Sequence, residues 1–150
     1  MASDKLKIGD KFLLNLANDV INLTGADLKV ALFASTSNIE TLSLEFYTEL
    51  TDELATANGY TQGGKSIANL AISEAAGITK IDGDNVTWTA AGGSITARYA
   101  GVYDDVAVGK PIVGYILLDN TPADLVALDT QQFTVEWASG GVFNLAADNA

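Results

Sequence analysis

From residue 82 to residue 145 the chain reads as one short strand after another, and this constrains its fold more than anything else in it. The segments are 85–89 (NVTWT), 94–104 (SITARYAGVYD), 110–119 (KPIVGYILLD) and 131–145 (QQFTVEWASGGVFNL). Val86 and Trp88 point one way and Thr87 the other. Phe133, Val135 and Trp137 alternate with Gln132, Thr134 and Glu136, and Ile95, Ala97, Tyr99, Gly101 and Tyr103 alternate with Thr96, Arg98 and Ala100. A period of two places alternate side chains on opposite faces of a sheet with one face buried. Residues 112–118 are apolar on both faces, as in a central strand or one covered by a neighbour. Gly92–Gly93 and Gly140–Gly141 mark hairpin or bulge positions.

The first half is less regular. Phe12, Leu13, Leu16, Val20 and Leu23 fall at helical spacing, so a helix is expected over residues 5–23, with Asp10 as its cap and Gly25 at its end. Its apolar stripe would pack on its own domain or on a neighbouring subunit. Residues 28–35 (LKVALFAS) read as the first strand. Phe46, Tyr47, Leu50 and Leu54 fit a short helical turn inside a long excursion, and residues 66–73 (SIANLAIS) read as a strand between glycines. The predicted architecture is mainly β: a jelly-roll-like antiparallel β-sandwich with an N-terminal α-helix and a short helical excursion after the first strand. It is one domain over residues 1–150, with 1–24 as arm and helix and 25–150 as sandwich. The expected core comprises Phe12, Leu16, Val30, Trp88, Tyr99, Ile116, Phe133, Val135 and Trp137.

Composition narrows the functions available. The net charge is −11, which repels nucleic-acid phosphate and anionic membrane surfaces. There is no Cys and no His, so thiol chemistry and the commonest general base and metal ligand are missing. No apolar run approaches the roughly 20 residues of a membrane span, and the start of the chain lacks the apolar core of a secretion signal. A cytosolic origin is the expectation. Charged residues are only 18% of the chain, a low density that points to surface covered by copies of itself or by a partner.

Four patterns imitate a chemical or ligand site. Residues 59–66 (GYTQGGKS) match the phosphate-loop spacing G-x-x-x-x-G-K-[ST], and residues 112–119 supply an apolar strand ending in an acid. A phosphate loop must leave a buried parallel strand and enter a helix whose N-terminus faces the anion. Here polar residues precede it and strands follow. Asp82, Asp84 and Asn85 offer calcium-type oxygens, but the spacing and distal glutamate of the twelve-residue loop are missing, and a turn at Gly83 accounts for them. Asp104–Asp105 reads in the same way as a strand end. Trp88, Tyr99, Tyr103, Tyr115 and Trp137 could form a sugar platform, yet most alternate with polar residues as core side chains do. No facing carboxylate pair stands out among 19 acids. Neither a catalytic residue, a cofactor nor a metal is expected.

The cations are asymmetric. Lys5, Lys7 and Lys11 give the first 11 residues a charge of +1 against −12 for the remainder. Such a cluster is either a solvated helix start or an arm that docks on an acidic partner.

The runs FLLNLANDVINL, DLKVALFAS, NGYTQGG, DGDNVTWTA, SITARYAGVYDD, KPIVGYILLD and QQFTVEWASGGVFNLA together resemble a family of small virion proteins of tailed bacteriophages, the capsid cement or decoration proteins. The similarity extends from about Lys11 to Ala146, and its most specific pieces are GYTQGG, TARYAGVYDD and FTVEWASGGVF. This chain departs from the pattern at Lys65–Ser66, where an apolar residue would be ordinary, and that departure creates the phosphate-loop match. The resemblance implies a homotrimer on the outer surface of a phage capsid, made in the bacterial cytoplasm. It would bind the major capsid protein where several subunits meet and tie capsomers together after shell expansion. Lys5, Lys7 and Lys11 are the candidate docking residues. The competing expectations are a receptor- or glycan-binding tail fibre or baseplate module, and an enzyme, built either on the phosphate-loop match or on a pair of carboxylates.

Overall fold

The computed structural model describes residues 4–148. Within them the chain is mainly β, with every strand pair antiparallel. In chain order the strands are β1 (Lys7–Ile8), β2 (Leu28–Phe33), β3 (Lys65–Ser66), β4 (Ala71–Ala75), β5 (Ile78–Asp82), β6 (Val86–Thr89), β7 (Ile95–Ala97), β8 (Tyr99–Asp104), β9 (Ile112–Leu117), β10 (Leu125–Ala127), β11 (Gln132–Val135) and β12 (Phe143–Ala146). One short helix, α1 (Phe12–Ala17), and a single 3-10 turn at Tyr47–Glu49 complete the set.

The largest sheet has five strands in the order β1-β9-β8-β2-β3. Its inward face contributes Leu28, Val30, Leu32, Ala100, Val102, Val113 and Ile116 to the main core. The β6–β11 ladder meets them with Val86, Trp88, Phe133 and Val135, and the β7–β10 ladder with Ile95, Ala97 and Ala127. A three-stranded sheet, β12-β5-β4, adds Ile81 and Phe143. The outward face of the large sheet is covered as well. Ala31, Phe33, Tyr99, Tyr103 and Tyr115 form a second cluster beneath Ile39, Leu42, Tyr47 and Leu50 of the excursion after β2. This is why β2 and β8 are buried on both faces. As expected for a run apolar on both sides, β9 is internal, between β1 and β8.

The N-terminal segment differs from expectation. In place of a helix over 5–23, Lys7 and Ile8 pair with Tyr115 and Gly114 at the edge of β9. Asp4 N–H bonds to Leu117 O at 3.0 Å, and Gly9 N–H to Val113 O at 3.0 Å. The alternation Lys5-Leu6-Lys7-Ile8 explains this, since Leu6 and Ile8 pack on the main core. The helix that follows has six residues. It ends where Asp19 takes a left-handed φ of 57°. Phe12 is fully buried, Leu16 and Leu23 are half-buried, and Leu13, Leu14 and Val20 face solvent; Ile21 fills the core position instead. Asp10 does not cap α1, whose N-cap is Lys11 without a side-chain bond, and Gly25 closes a later turn on Asn22 O. Residues 4–24 thus share the core of the rest of the chain.

Three strand readings are redivided. The 66–73 segment splits into β3 and β4 around Asn69, which has φ 54°. Arg98 interrupts 94–104: its N–H bonds to Phe33 O and its carbonyl accepts from Leu118 N–H. That one-residue step moves the core face from Ile95 and Ala97 to Ala100 and Val102, and sends Tyr99 and Tyr103 to the second cluster. The 131–145 run turns at Ala138–Gly141, so β12 leaves β11 and pairs with β5.

Candidate functional site

Two of the three most specific motifs meet beside one carboxylate: GYTQGG bonds to Glu53, and Tyr103 of TARYAGVYDD bonds to GYTQGG. Glu53 is bridged to Phe33 at the end of β2. Its Oε1 accepts from Tyr60 O–H at 2.7 Å and from Gly63 N–H at 2.6 Å, and its Oε2 accepts from Tyr47 O–H. Tyr60 Oη accepts in turn from Leu32 N–H at 3.0 Å, and Tyr103 O–H donates to Gly63 O at 2.7 Å. Tyr47 and Tyr103 stack with ring centroids 4.3 Å apart. The GYTQGG run is therefore a brace between the two faces of the large sheet. The residue pattern does not single out Glu53, because with Thr51 and Asp52 it falls on the polar side of the helical turn expected from Phe46, Tyr47, Leu50 and Leu54.

The geometry of this brace excludes a phosphate cradle. Gly63 and Gly64 have φ of 95° and 75°, but the chain then enters β3, antiparallel to β2, and no helix begins there. Lys65 Nζ donates to Thr87 O at 2.6 Å and lies 5.7 Å from the centre of the Trp88 ring. Asp82 and Asp84 are engaged too. Asp82 pairs with Lys80 and accepts from Gly83 N–H, which holds its carboxyl below the usual range, while Asp84 accepts from Asn69. Asp105 bridges Lys110 and Lys29 at 2.7 and 2.8 Å, and these bonds lower its pKa. Buried Asp104 accepts from Val106 N–H. Among the described residues no group of three or more acids is placed to hold a metal.

The tyrosines of the brace resist ionisation. Burial, followed by the neighbouring Glu53 carboxylate, pushes Tyr47 up, and burial dominates for Tyr60 and Tyr103. A hydrogen bond to Glu40 at 2.6 Å, then burial, raises Tyr99 to about 12. A folded pKa above the ordinary tyrosine value of about 10 stabilises the fold below that pH and loses the contribution as pH rises through the folded value. Alkaline titration should accordingly show a delayed, cooperative rise in tyrosinate absorbance coincident with loss of circular dichroism. Ordinary, non-cooperative ionisation with the β signal intact would contradict the brace.

Lys5, Lys7 and Lys11 are all exposed at one end of the large sheet. Lys7 Nζ stands 5.6 Å from the Tyr115 ring centre, outward of the second cluster. Lys11 lies beyond the strand, at the start of α1. Of the expected core, Phe12, Val30, Trp88, Ile116, Phe133 and Val135 are buried in the main cluster, Tyr99 is buried in the second, and Leu16 is half-buried. Trp137 departs from the reading. It is half-buried, its Nε1–H donates to Asp84 O at 2.8 Å, and its backbone N–H donates to Asn85 Oδ1 at 3.1 Å. The alternation that put it in the core ends at Val135, where β11 ends.

Large apolar side chains also lie on the surface: Leu13 and Leu14 on α1, Ile72 and Ile78 on the β4–β5 hairpin, Val126 and Leu128 near β10, and Val106 and Val108 between β8 and β9. Val108 is 92% exposed. No helix among the described residues is long and apolar enough to cross a membrane. No family model, curated protein or solved structure matches the chain.

Proposed function

We propose that this protein is a structural virion component, a capsid cement protein that binds the outer surface of a phage head as a homotrimer and reinforces contacts between capsomers. The antiparallel layers would form its jelly-roll-like sandwich body. The observation that carries the reading is the set of apolar side chains left in water by the single chain, on α1, on the β4–β5 hairpin and at Val106 and Val108. A free monomer gains nothing from exposing them, whereas contacts between copies or with a shell would cover them. The polar motifs support it as well, because the GYTQGG and YDD runs are consumed in bracing the fold. Three protomers engaging three capsid sites would add individually modest contacts through effective concentration.

Lys5, Lys7 and Lys11 remain the candidate docking cations for the major capsid protein. Removing the first 11 residues would delete β1 from the sheet, so charge reversal is the better probe. Densitometry of purified virions should find this chain at a copy number approaching that of the capsid protein. Lys5→Glu, Lys7→Glu and Lys11→Glu together should lower its occupancy on expanded heads without changing its melting temperature. A handful of copies per particle would move the assignment to a fibre or baseplate module, and absence from virions would end it.

A further inference from the structure

A cleft of about 320 Å³ opens between the N-terminal segment and the turn that joins β11 to β12. That is the lower end of the roughly 300–1,000 Å³ common for small-molecule sites. Its apolar lining comes from Leu6, Ile8, Ile116 and Phe143. Trp137 forms part of the wall and is held there by Asp84 O and Asn85 Oδ1. The turn behind it is fixed: Gly141 N–H bonds to Ala138 O at 2.9 Å, and a side chain on Gly141 would lie 2.5 Å from Ile81 O. The rim carries Lys5, Glu136, Ser139 and Asn144, whose side chains make no hydrogen bond or ion pair among the described residues. A rigid indole thus sits beside donors and acceptors that no other described residue uses.

We propose that this cleft binds a neutral sugar ring, with Trp137 as the stacking plate and Glu136 and Asn144 as hydroxyl partners. The combination selects against other ligands. An apolar molecule would leave the rim groups unpaired as they lose water. An anion meets Glu136, Asp4 and the net charge of −11. A cation would pair with Glu136 or Asp4 but leave the Lys5 ammonium without a partner. A pyranose ring offers a C–H face to the indole and hydroxyls that both donate and accept, so it serves carboxylate, amide and ammonium together. The site does not depend on where the protein assembles.

The test is a heteronuclear NMR titration of the full chain with methyl glucopyranoside, methyl galactopyranoside and N-acetylglucosamine. At least one should give saturable shifts confined to residues 5–8 and 136–144, in the millimolar range. Glu136→Ala, on the exposed rim, should weaken that binding about tenfold, as loss of a hydrogen bond to a charged group does. Trp137→Ala should abolish it. If that variant does not fold, Trp137→Phe, which keeps an aromatic plate, should retain weakened binding. No saturable shift with any of the three sugars, shifts elsewhere, or binding that Glu136→Ala leaves unchanged would overturn the proposal.

Discussion

Trp88→Ala should lower the unfolding free energy by about 3–5 kcal/mol, the range for a large aromatic removed from a core. Trp88 is 1% exposed and pairs directly across the ladder with Phe133. The ring centres of Phe133 and Tyr60 lie 6.4 and 5.8 Å from its own. Truncation would therefore open a void where the β6–β11 ladder meets the large sheet, and it would free Lys65 from its seat over the ring. The indole Nε1 is buried without a hydrogen-bond partner, so Trp88→Phe removes an unsatisfied donor and should cost clearly less than the alanine change. Trp137→Ala supplies the contrast. Its ring is only half-buried, so about 1–2 kcal/mol is expected, below the value for fully burying a large side chain. Urea unfolding of the three variants checks the order. Equal losses for Trp88→Ala and Trp137→Ala would refute the placement of the main core.

Gly64→Ala should be at least as damaging, at about 4 kcal/mol or more, in the class of changes that strain a special backbone position. The conformation is left-handed, with φ of 75°. A β-carbon there would lie 1.8 Å from Val30 O and 2.5 Å from Val30 C. Both are backbone atoms of β2, buried in the sheet, and cannot step aside without breaking the Val30–Lys65 pairing. Gly92→Ala separates the two causes. Its φ of 79° is as unusual, yet nothing lies within 4 Å of the new carbon, so only the conformational cost of about 1–2 kcal/mol applies. Thermal melts by circular dichroism should find Gly64→Ala unfolded or far less stable and Gly92→Ala modestly shifted. A Gly64→Ala protein that melts like Gly92→Ala would show that the GYTQGG brace does not approach β2 so closely.

Some of this architecture could be read from residue order and some could not, for identifiable reasons. β6, β9 and β11 were plain because burial on one face, or on both, writes itself into the hydrophobic pattern. The Lys5–Ile8 alternation carried the same signal, but the helical stripe from Phe12 onward overlaps it and competes for the same window. The step at Arg98 is invisible to a period-two reading, because both faces of β8 are buried and either phase looks apolar. β4 was blurred for the opposite reason: all five residues are exposed, so packing selects no phase. Glu53 was lost among polar neighbours, since neither a helical nor a strand period says that Tyr47, six residues before it, and Tyr60, seven after it, converge on its carboxylate. The cleft beside Trp137 arises only when residues 4–8 are brought against 136–144, a proximity absent from any single segment.

The edge pairing of β1 also sets an order of events during synthesis. Lys7 finds its partner only at Tyr115, and Leu28 pairs with Asp104. A ribosome that has released the first hundred or so residues has thus delivered an opening segment with no sheet edge to join. Pairings this distant place the chain among slow, topology-limited folders, on the order of milliseconds to seconds. Until β9 emerges, Leu6, Ile8 and Phe12 have no core to enter. Docking of the residues before α1 must therefore wait until β9 has been made, so the edge of the large sheet closes only after its middle.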